Sequence, residues 1–358
     1  MIGLPPFLSF SENERILQLK ILMIILRTVK NISSLNIAAS VLLFLAAILA
    51  AVVANSSLSP VYQDFLLQEL HLRIGNFNLF SHGGHPLKMI EFINDCLMTV
   101  FFLAVGLEIK RELLVGELSS VRKAALPFIA ACGGMVVPVV IYALSVASGT
   151  PETRGMAIPM GTDIAFSLGV LSLLGKRVPL SLKIFLTAFA VVDDIGGILV
   201  IALFYSADVA YGYLIAAAVL YVFLYYMGKF GVTQKIFFLF FGVIIWYLFL
   251  QSGIHSTISG VILAFVIPAR PRLDAGKYIE RIRDIIGEFP VSKSDNIVLT
   301  NAQIATLKQV ERASDYVISP LQSLEDNLHG AVSFVILPLF AFANAGVVFS
   351  GSGSIVGD

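Results

Sequence analysis

The sequence contains nine apolar segments, most of them long enough to cross a bilayer, separated by more polar stretches. A spanning helix needs about 20 apolar residues, because the hydrocarbon core is about 30 Å thick and a helix rises about 1.5 Å per residue. In that core the backbone must satisfy its own hydrogen bonds, so we expect an all-α polytopic membrane protein. The segments are residues 35–54, 89–107, 124–147, 156–174, 182–205, 211–227, 236–250, 254–267 and 331–349.

Composition supports this fold class. Hydrophobic residues make up 57% of the chain and charged residues only 13%, about half the share of a soluble domain. The formal net charge is zero, so no nucleic-acid partner is expected. The two cysteines, Cys96 and Cys132, lie in apolar runs and form neither a disulfide framework nor a metal-binding pattern. No cofactor is expected.

Basic residues predict the orientation of the chain. With the N-terminus in the cytoplasm, 21 of the 24 Lys and Arg residues fall in cytoplasmic segments, as the positive-inside rule requires. We therefore expect a bacterial inner-membrane protein with a cytoplasmic N-terminus. The expected division is a cytoplasmic or interfacial segment at 1–34, a transmembrane domain at 35–349, and a short polar end at 350–358. Residues 270–328 are expected to form an extended cytoplasmic loop within that domain, with amphipathic helical pieces such as 278–286.

Two adjacent aspartates, Asp193 and Asp194, lie in the middle of the apolar run at 184–204. The run measures about 31 Å as a helix, so both residues fall near the bilayer midplane. A carboxylate there costs roughly 2.5–3.5 kcal/mol on insertion scales, and such groups usually mark an ion or proton path. A deprotonated carboxylate offers the oxygen ligands that Na⁺ requires, so competition between Na⁺ and H⁺ at one carboxylate would produce exchange.

Two other interpretations of the aspartate pair stay open. One is a purely structural buried pair. The other is an intramembrane aspartate enzyme, such as a Mg²⁺-dependent prenyl-diphosphate transferase. Such an enzyme needs acids spaced to clamp a metal and a diphosphate, and the sequence around Asp193 and Asp194 lacks the further acid. Transport is therefore favoured, and the chain is not expected to be an enzyme.

The fourth apolar segment contains a predicted helix break. Pro159 removes a backbone donor, Gly161 loosens the helix, and Thr162 and Asp163 follow directly. Backbone groups freed inside a membrane must face protein or a water-filled cavity, and transporters use such broken helices at the midplane. The alternative is a simple proline kink in which Asp163 caps the second half-helix.

Other polar residues lie at the ends of apolar segments. Asp95 lies just inside the outer edge of the second segment, either as a step in an ion path or as an interfacial acid. Glu108, Arg111 and Glu112 have helical spacing at its cytoplasmic end, where they form either a functional cluster or a solvated helix end. His255 begins the eighth segment, and histidine is easily tuned across neutral pH, although a lone histidine at a membrane edge is more often structural.

One outer loop carries a hairpin pattern. Residues 70–80 alternate apolar and polar positions around Gly75 and Asn76, a dipeptide that favours tight turns. The sequence therefore predicts a β-hairpin there, with an irregular loop as the alternative.

At these residues the chain resembles the NhaA-type sodium/proton antiporters. The resemblance covers almost everything from residue 35 to residue 347, and its motifs follow one another in the family's order. The four stretches that carry it are residues 92–113 (FINDCLMTVFFLAVGLEIKREL), 157–205, 252–268 (SGIHSTISGVILAFVIP) and 337–347 (LPLFAFANAGV). The resemblance implies an inverted-repeat transporter with a broken fourth helix, and electrogenic export of Na⁺ or Li⁺ in exchange for entering H⁺ for pH and sodium homeostasis.

The resemblance also implies roles for individual residues. Asp194 matches the central carrier of Na⁺ and H⁺, and Asp193 matches a second essential acid that pairs with a lysine on the family's tenth helix. Thr162 and Asp163 match the crossing of two broken helices, and Asp95 matches an acid in the ion path. A pH-sensing region is matched by Glu108, Arg111, Glu112 and His255. The hairpin at residues 70–80 resembles the family's homodimer contact.

This chain also departs from the family pattern. Gly161 and Gly197 stand where alanine is usual, and the loop at 270–328 is longer than usual. The family has twelve spans, whereas this sequence contains nine apolar segments. The last three spans are therefore expected to be missing from this chain. The alternative expectation is therefore a truncated or split antiporter fragment without transport activity on its own.

Overall fold

The computed structural model describes residues 38–74, 77–82, 85–146, 155, 158–161, 167, 171, 178–204, 209–271, 275–287, 289 and 300–348. Over these residues the chain is mostly helical, with two short β-hairpins in the segment at 73–86. The predicted N-terminal segment at 1–34 and the polar end at 350–358 lie outside the described residues.

Most of the helices are long and apolar, as the sequence predicts. In chain order they are α1 (Ala38–Ala54), α2 (Ser59–Leu67), α3 (Met89–Val115), α4 (Val121–Ser145), α5 (Leu180–Phe204), α6 (Tyr211–Lys229), α7 (Lys235–Ser252), α8 (Thr257–Val266), α9 (Ala275–Gly287), α10 (Asn301–Val317) and α11 (Pro320–Asn344). Among the described residues, five helices can cross a membrane by length and composition, namely α3, α4, α6, α7 and α11. The pair α1 and α2, bent by 113°, passes the same test together.

These helices establish a mostly α-helical, multi-pass membrane protein, while the count of nine spans stays a prediction. Most of the fourth predicted segment, 156–174, lies outside the described residues. The last span differs from its prediction, because α11 begins at Pro320 rather than at residue 331. Ser319 caps this helix by accepting a hydrogen bond from the Gln322 amide at 3.2 Å. Polar residues fill the first turns of α11, so a search for apolar residues places the start too late.

The segment between α2 and α3 contains the predicted hairpin. Strand β1 (Arg73–Ile74) pairs antiparallel with β2 (Phe77–Asn78), and β3 (Ser81–His82) pairs with β4 (His85–Pro86). The pairing of β1 with β2 confirms the hairpin centred on residues 75 and 76. The segment also packs against α7, because the buried Leu87 contacts Trp246 and Leu250 in one apolar cluster.

Two apolar clusters organise the bundle around α3. One contains Leu103 and Leu107 of α3 together with buried residues of α6, α7, α8 and the first turns of α11. The other contains Val105 and Ile109 of α3 with Ala131 of α4 and buried residues of α5. Helix α3 therefore lies between the two halves of the described bundle.

Glycines allow α3 and α8 to approach closely. A Cβ atom added at Gly106 of α3 would lie 2.8 Å from the Cβ of Ala264. A Cβ atom added at Gly260 of α8 would overlap the backbone carbonyl oxygen of Thr99. Larger residues at either position would push the helices apart, as in the small-residue contacts of other membrane helices. The pair therefore packs as one unit.

Two spans contain π-helical stretches. They are Phe92–Leu97 in α3 and Val332–Ile336 in α11. Near these stretches the side-chain amides of Asn94 and Asn344 exchange hydrogen bonds of 2.8 and 3.2 Å. Single π-helical turns release backbone groups and occur often at functional sites. The polar pair therefore joins α3 and α11 beside Asp95.

Candidate functional site

Helix α5 carries the aspartate pair, as predicted. The helix is continuous over 25 residues from Leu180 to Phe204, so Asp193 and Asp194 lie near its middle. Asp193 is only 4% exposed, whereas Asp194 is half-buried. The preceding Val191 and Val192 pack in the cluster that joins α5 to α3 and α4. Consecutive residues on a helix point about 100° apart, which explains why the two carboxylates differ in exposure.

The predicted helix break lies at the edge of what the structure describes. Thr162 and Asp163 lie outside the described residues, so their geometry stays a prediction. Immediately before them, residues 158–160 form a single 3₁₀ turn and Gly161 is not helical. Residues 158–161 therefore do not form an α-helix at Pro159, whose missing amide donor weakens a helix.

Asp95 lies in the π-helical stretch of α3 and is surrounded by hydrogen-bond donors. Its backbone carbonyl accepts from Trp246 Nε1 and from Ser256 Oγ, each at 3.0 Å, and from the Thr99 hydroxyl. Ser256 Oγ also lies 3.3 Å from the carboxylate oxygen Oδ1. Ser256 follows His255, so the structure brings these two predicted site residues into the same region at one end of α8.

The C-terminal end of α3 forms a charged cluster that includes a residue from α11. Arg111 Nη2 lies 3.2 Å from Glu112 Oε1, and Arg111 Nε donates to Glu325 Oε1 at 2.9 Å. Glu108 lies within electrostatic range of the other three side chains. The structure therefore brings together Glu108, Arg111 and Glu112, as predicted, and adds Glu325. Glu325 was not predicted as a site residue, because its position falls in the stretch expected to form a loop at 270–328. The Ser-Pro pair at 319–320 is the sequence pattern that indicates a helix beginning there.

Lys110 is a second residue that sequence analysis missed. Its ammonium donates to the carbonyls of Ala264 at 3.3 Å, Phe265 at 2.7 Å and Ile267, at the C-terminal end of α8. The last carbonyls of a helix have no intrahelical donor, and Pro268 lacks the amide that would reach the Ala264 carbonyl. A cation at this end also complements the helix dipole. Lys110 therefore caps α8 from α3.

The described polar residues form two separate groups along α3. One surrounds Asp95 near the beginning of the helix, and the other surrounds Arg111 near its end. The buried acid Asp193 lies on α5, which packs against α3 between them. A multi-pass helical membrane protein with an acid buried inside a span has the features of the ion-transporter class.

Comparison with known proteins agrees with this class. Residues 30–356 match the sequence family described as Na⁺/H⁺ antiporter 1, and the chain belongs to this family. It is similar to the Na⁺/H⁺ antiporter NhaA of Bacteroides thetaiotaomicron, with 76% identity over 335 residues, which are 94% of this chain and 76% of that protein. The NhaA protein of Bacteroides fragilis is 75% identical over 94% of this chain and 77% of its own length. That of Phocaeicola vulgatus is 62% identical over 84% and 67%.

Proposed function

We propose that this chain exports Na⁺ in exchange for entering H⁺ and thereby contributes to pH and sodium homeostasis. The observation that carries the proposal is the buried Asp193 beside Asp194 inside the apolar helix α5. The high similarity of the chain to sodium/proton antiporters supports the same activity. The activity is transport of ions rather than enzymatic turnover. Li⁺, which is chemically close to Na⁺, is proposed as a second cargo.

The chemistry of the site accounts for coupled exchange. A carboxylate inside the bundle can be neutralised by Na⁺ or by H⁺, and leaving it charged and bare is costly. If the bundle changes access only when the acids are neutralised, Na⁺ leaving on one side must be replaced by H⁺ on the other. Asp194 is proposed as the central carrier and Asp193 as the second acid. With two carboxylates, more than one proton can enter for each Na⁺, which makes the exchange electrogenic.

The proposed ion path uses further residues at both ends of the bundle. Thr162 and Asp163 are assigned to a break in the fourth of the proposed spans, and the 3₁₀ turn at 158–160 with the non-helical Gly161 supports this assignment. Asp95 is assigned to the outer part of the path, supported by its place in a π-helical stretch. These assignments belong to an inverted-repeat architecture in which transmembrane helices extend over 35–349, with the stretch from 270 to the beginning of α11 facing the cytoplasm.

The charged cluster at the end of α3 is proposed to adjust activity to pH. Its members are Glu108, Arg111, Glu112 and Glu325. His255, which lies just before α8 and away from this cluster, is proposed to take part in the same pH response. Arg111 bridges acids on two spans, so protonation of those acids would weaken the contact between α3 and α11. This supports a role in which pH changes the packing of these spans.

The proposed location is a bacterial inner membrane, with the N-terminus in the cytoplasm. The β1–β2 hairpin is proposed as a contact between two copies of the chain. Support comes from Leu72 beside β1, which is exposed although it is apolar. Replacing Leu72 by Asp should reduce chemical crosslinking of reconstituted chains several-fold. An unchanged crosslinking yield would remove the hairpin from the dimer contact.

The test of antiport uses everted membrane vesicles from a host without its own sodium/proton antiporters. A respiratory pH gradient is established, and the addition of Na⁺ should collapse it when the chain is present. Asp194→Asn and Asp193→Asn should abolish the response, because an amide cannot exchange a proton for a cation. The matched control is Asp284→Asn, which changes an exposed acid on α9 and should keep full activity.

Competition provides a second measurement. If Na⁺ and H⁺ share a site, the apparent KM for Na⁺ should rise by up to about tenfold for each unit by which the pH falls. A KM independent of pH, or full activity in Asp194→Asn, would contradict the proposed site.

A further inference from the structure

Helices α9 and α10 form a hairpin outside the five long spans. Tyr278 Oη lies 2.9 Å from Ser314 Oγ, which joins the beginning of α9 to the end of α10. The two helices therefore run antiparallel. Ile282 and Ile285 are half-buried and lie on the same side of α9 as Tyr278, so this side packs against α10.

The hairpin leaves four large apolar side chains uncovered. Ile279 and Ile286 of α9 are 57% and 59% exposed, and Ile304 and Leu307 of α10 are 37% and 45% exposed. At about 100° per residue, Ile279 and Ile286 lie roughly a quarter turn from the side that packs against α10. Leu307 and Ile304 lie about 70° and about 130° from the packed side of α10. Antiparallel helices turn in opposite senses when viewed from one end, so all four residues point to one face of the hairpin.

This hairpin face, defined by the same four residues, belongs to a hairpin that a short link connects to a span. Helix α10 ends at Val317 and α11 begins at Pro320, three residues later. Three residues reach at most about 11 Å, so the end of α10 lies close to the beginning of α11. Ile318 between them is exposed as well. The hairpin is thus tied to one end of a helix that can cross a membrane.

Charged residues on α9 are arranged around the apolar stripe. Arg283 lies between Ile279 and Ile286 on the same side of the helix, with helical spacing to both. Glu280 and Asp284 point away from the stripe, about 110° and about 150° from its middle. Arginine stems commonly cover apolar surface while their guanidinium groups reach lipid phosphates. Glu311 of α10 lies about 110° from the packed side, on the hairpin face one turn beyond Leu307, where its exposed side chain can extend its carboxylate toward water.

We propose that the hairpin face lies on the cytoplasmic surface of the bilayer, with phospholipid as the partner that covers it. The apolar side chains enter the boundary between headgroups and acyl chains, and Arg283 contacts phosphate groups. The hairpin is an interfacial anchor that fixes the depth at which α11 begins, and α11 carries Glu325. This inference does not depend on the transported ion.

The test places fluorescent probes on the two faces of the hairpin in the full chain. Cys96 and Cys132 are first replaced by Ala, and single cysteines are introduced as Ile279→Cys, Ile286→Cys or Leu307→Cys. The matched controls are Glu280→Cys and Asp284→Cys on the opposite face. Each chain is labelled with bimane and reconstituted into vesicles of phosphatidylcholine and phosphatidylglycerol. A doxyl-labelled lipid should quench the face positions several-fold more than the controls, and aqueous iodide should show the reverse order.

Two outcomes would overturn the proposal. If iodide quenches the face and control positions equally, the hairpin face lies in water. If neither quencher reaches the face positions, protein such as a second copy covers them. A further variant tests the cause: Ile279→Gln with Ile286→Gln should reduce lipid quenching of the probe at residue 307 several-fold, whereas Lys277→Gln on the far side should leave it unchanged.

Discussion

Arg111 on α3 and Glu325 on α11 form a hydrogen-bonded ion pair, with 2.9 Å between Nε and Oε1. Arg111 also contacts Glu112, so one guanidinium serves acids on two spans. Both partners of the interhelical pair are partly shielded from water, with side chains 35% and 23% exposed. The pair therefore stabilises the packing of α3 against α11 more than a fully solvated salt bridge would.

The first prediction concerns this pair. Glu325→Gln should lower the free energy of unfolding by about 1–2 kcal/mol, because a charged hydrogen bond between two spans is lost. Arg111→Gln should have a similar or larger effect. The double variant should lose less than the sum of the single variants, by about 0.5–1.5 kcal/mol, when unfolding is measured in detergent. Strictly additive losses would show that the two side chains act independently.

The second prediction concerns the cap supplied by Lys110. Lys110→Met should lower the free energy of unfolding by about 2 kcal/mol, because three carbonyls at the end of α8 lose a charged donor. Lys110→Arg keeps the charge and several donors and should recover part of that loss. Lys277→Met, which removes an exposed lysine on α9, is the control and should change stability little. Equal stability of the Met variants at 110 and 277 would contradict the capping role.

The third prediction separates two glycines with different surroundings. Gly260→Ala should destabilise the chain by about 1–3 kcal/mol, because the new Cβ overlaps the backbone of α3 at Thr99 and Leu103. Gly197→Ala meets no atom within 4 Å and should stabilise α5 by up to about 1 kcal/mol through helix propensity. Thermal unfolding of the two variants side by side tests this, and a stable Gly260→Ala chain would argue against close packing of α3 and α8.

The fourth prediction uses the single tryptophan of the chain as a reporter. Trp246 is buried, and its Nε1 donates to the Asp95 carbonyl. If Na⁺ passes Asp95, titration with Na⁺ should change the emission of Trp246, and Asp95→Ala should remove that change. Asp64→Ala, at an exposed acid on α2, should leave the response intact. An unaltered Na⁺ response in the Asp95→Ala chain would exclude Asp95 from the path.

Much of the fold could be predicted from the sequence because lipid imposes simple rules. Apolar length predicts membrane helices, and alternating residues around Gly75 and Asn76 predict the hairpin that β1 and β2 confirm. The position of Asp193 inside a long helix followed in the same way. Helix boundaries near polar residues were less predictable, as the early start of α11 at Pro320 shows. There, capping rather than hydrophobicity sets the end of the helix.

The sequence by itself determined the class of protein and the acid-bearing helix, since a long apolar run must become a helix and a charge within it needs a role. Only the tertiary structure decided which distant groups meet. The contacts of Lys110 with the end of α8, and of Arg111 with Glu325, join residues more than 150 positions apart. Lys110 contacts backbone carbonyl groups, and Arg111 contacts an acid in a polar stretch. No local sequence pattern marks either partner. Such contacts depend on how the helices pack, because packing brings together groups that no periodicity along the chain relates.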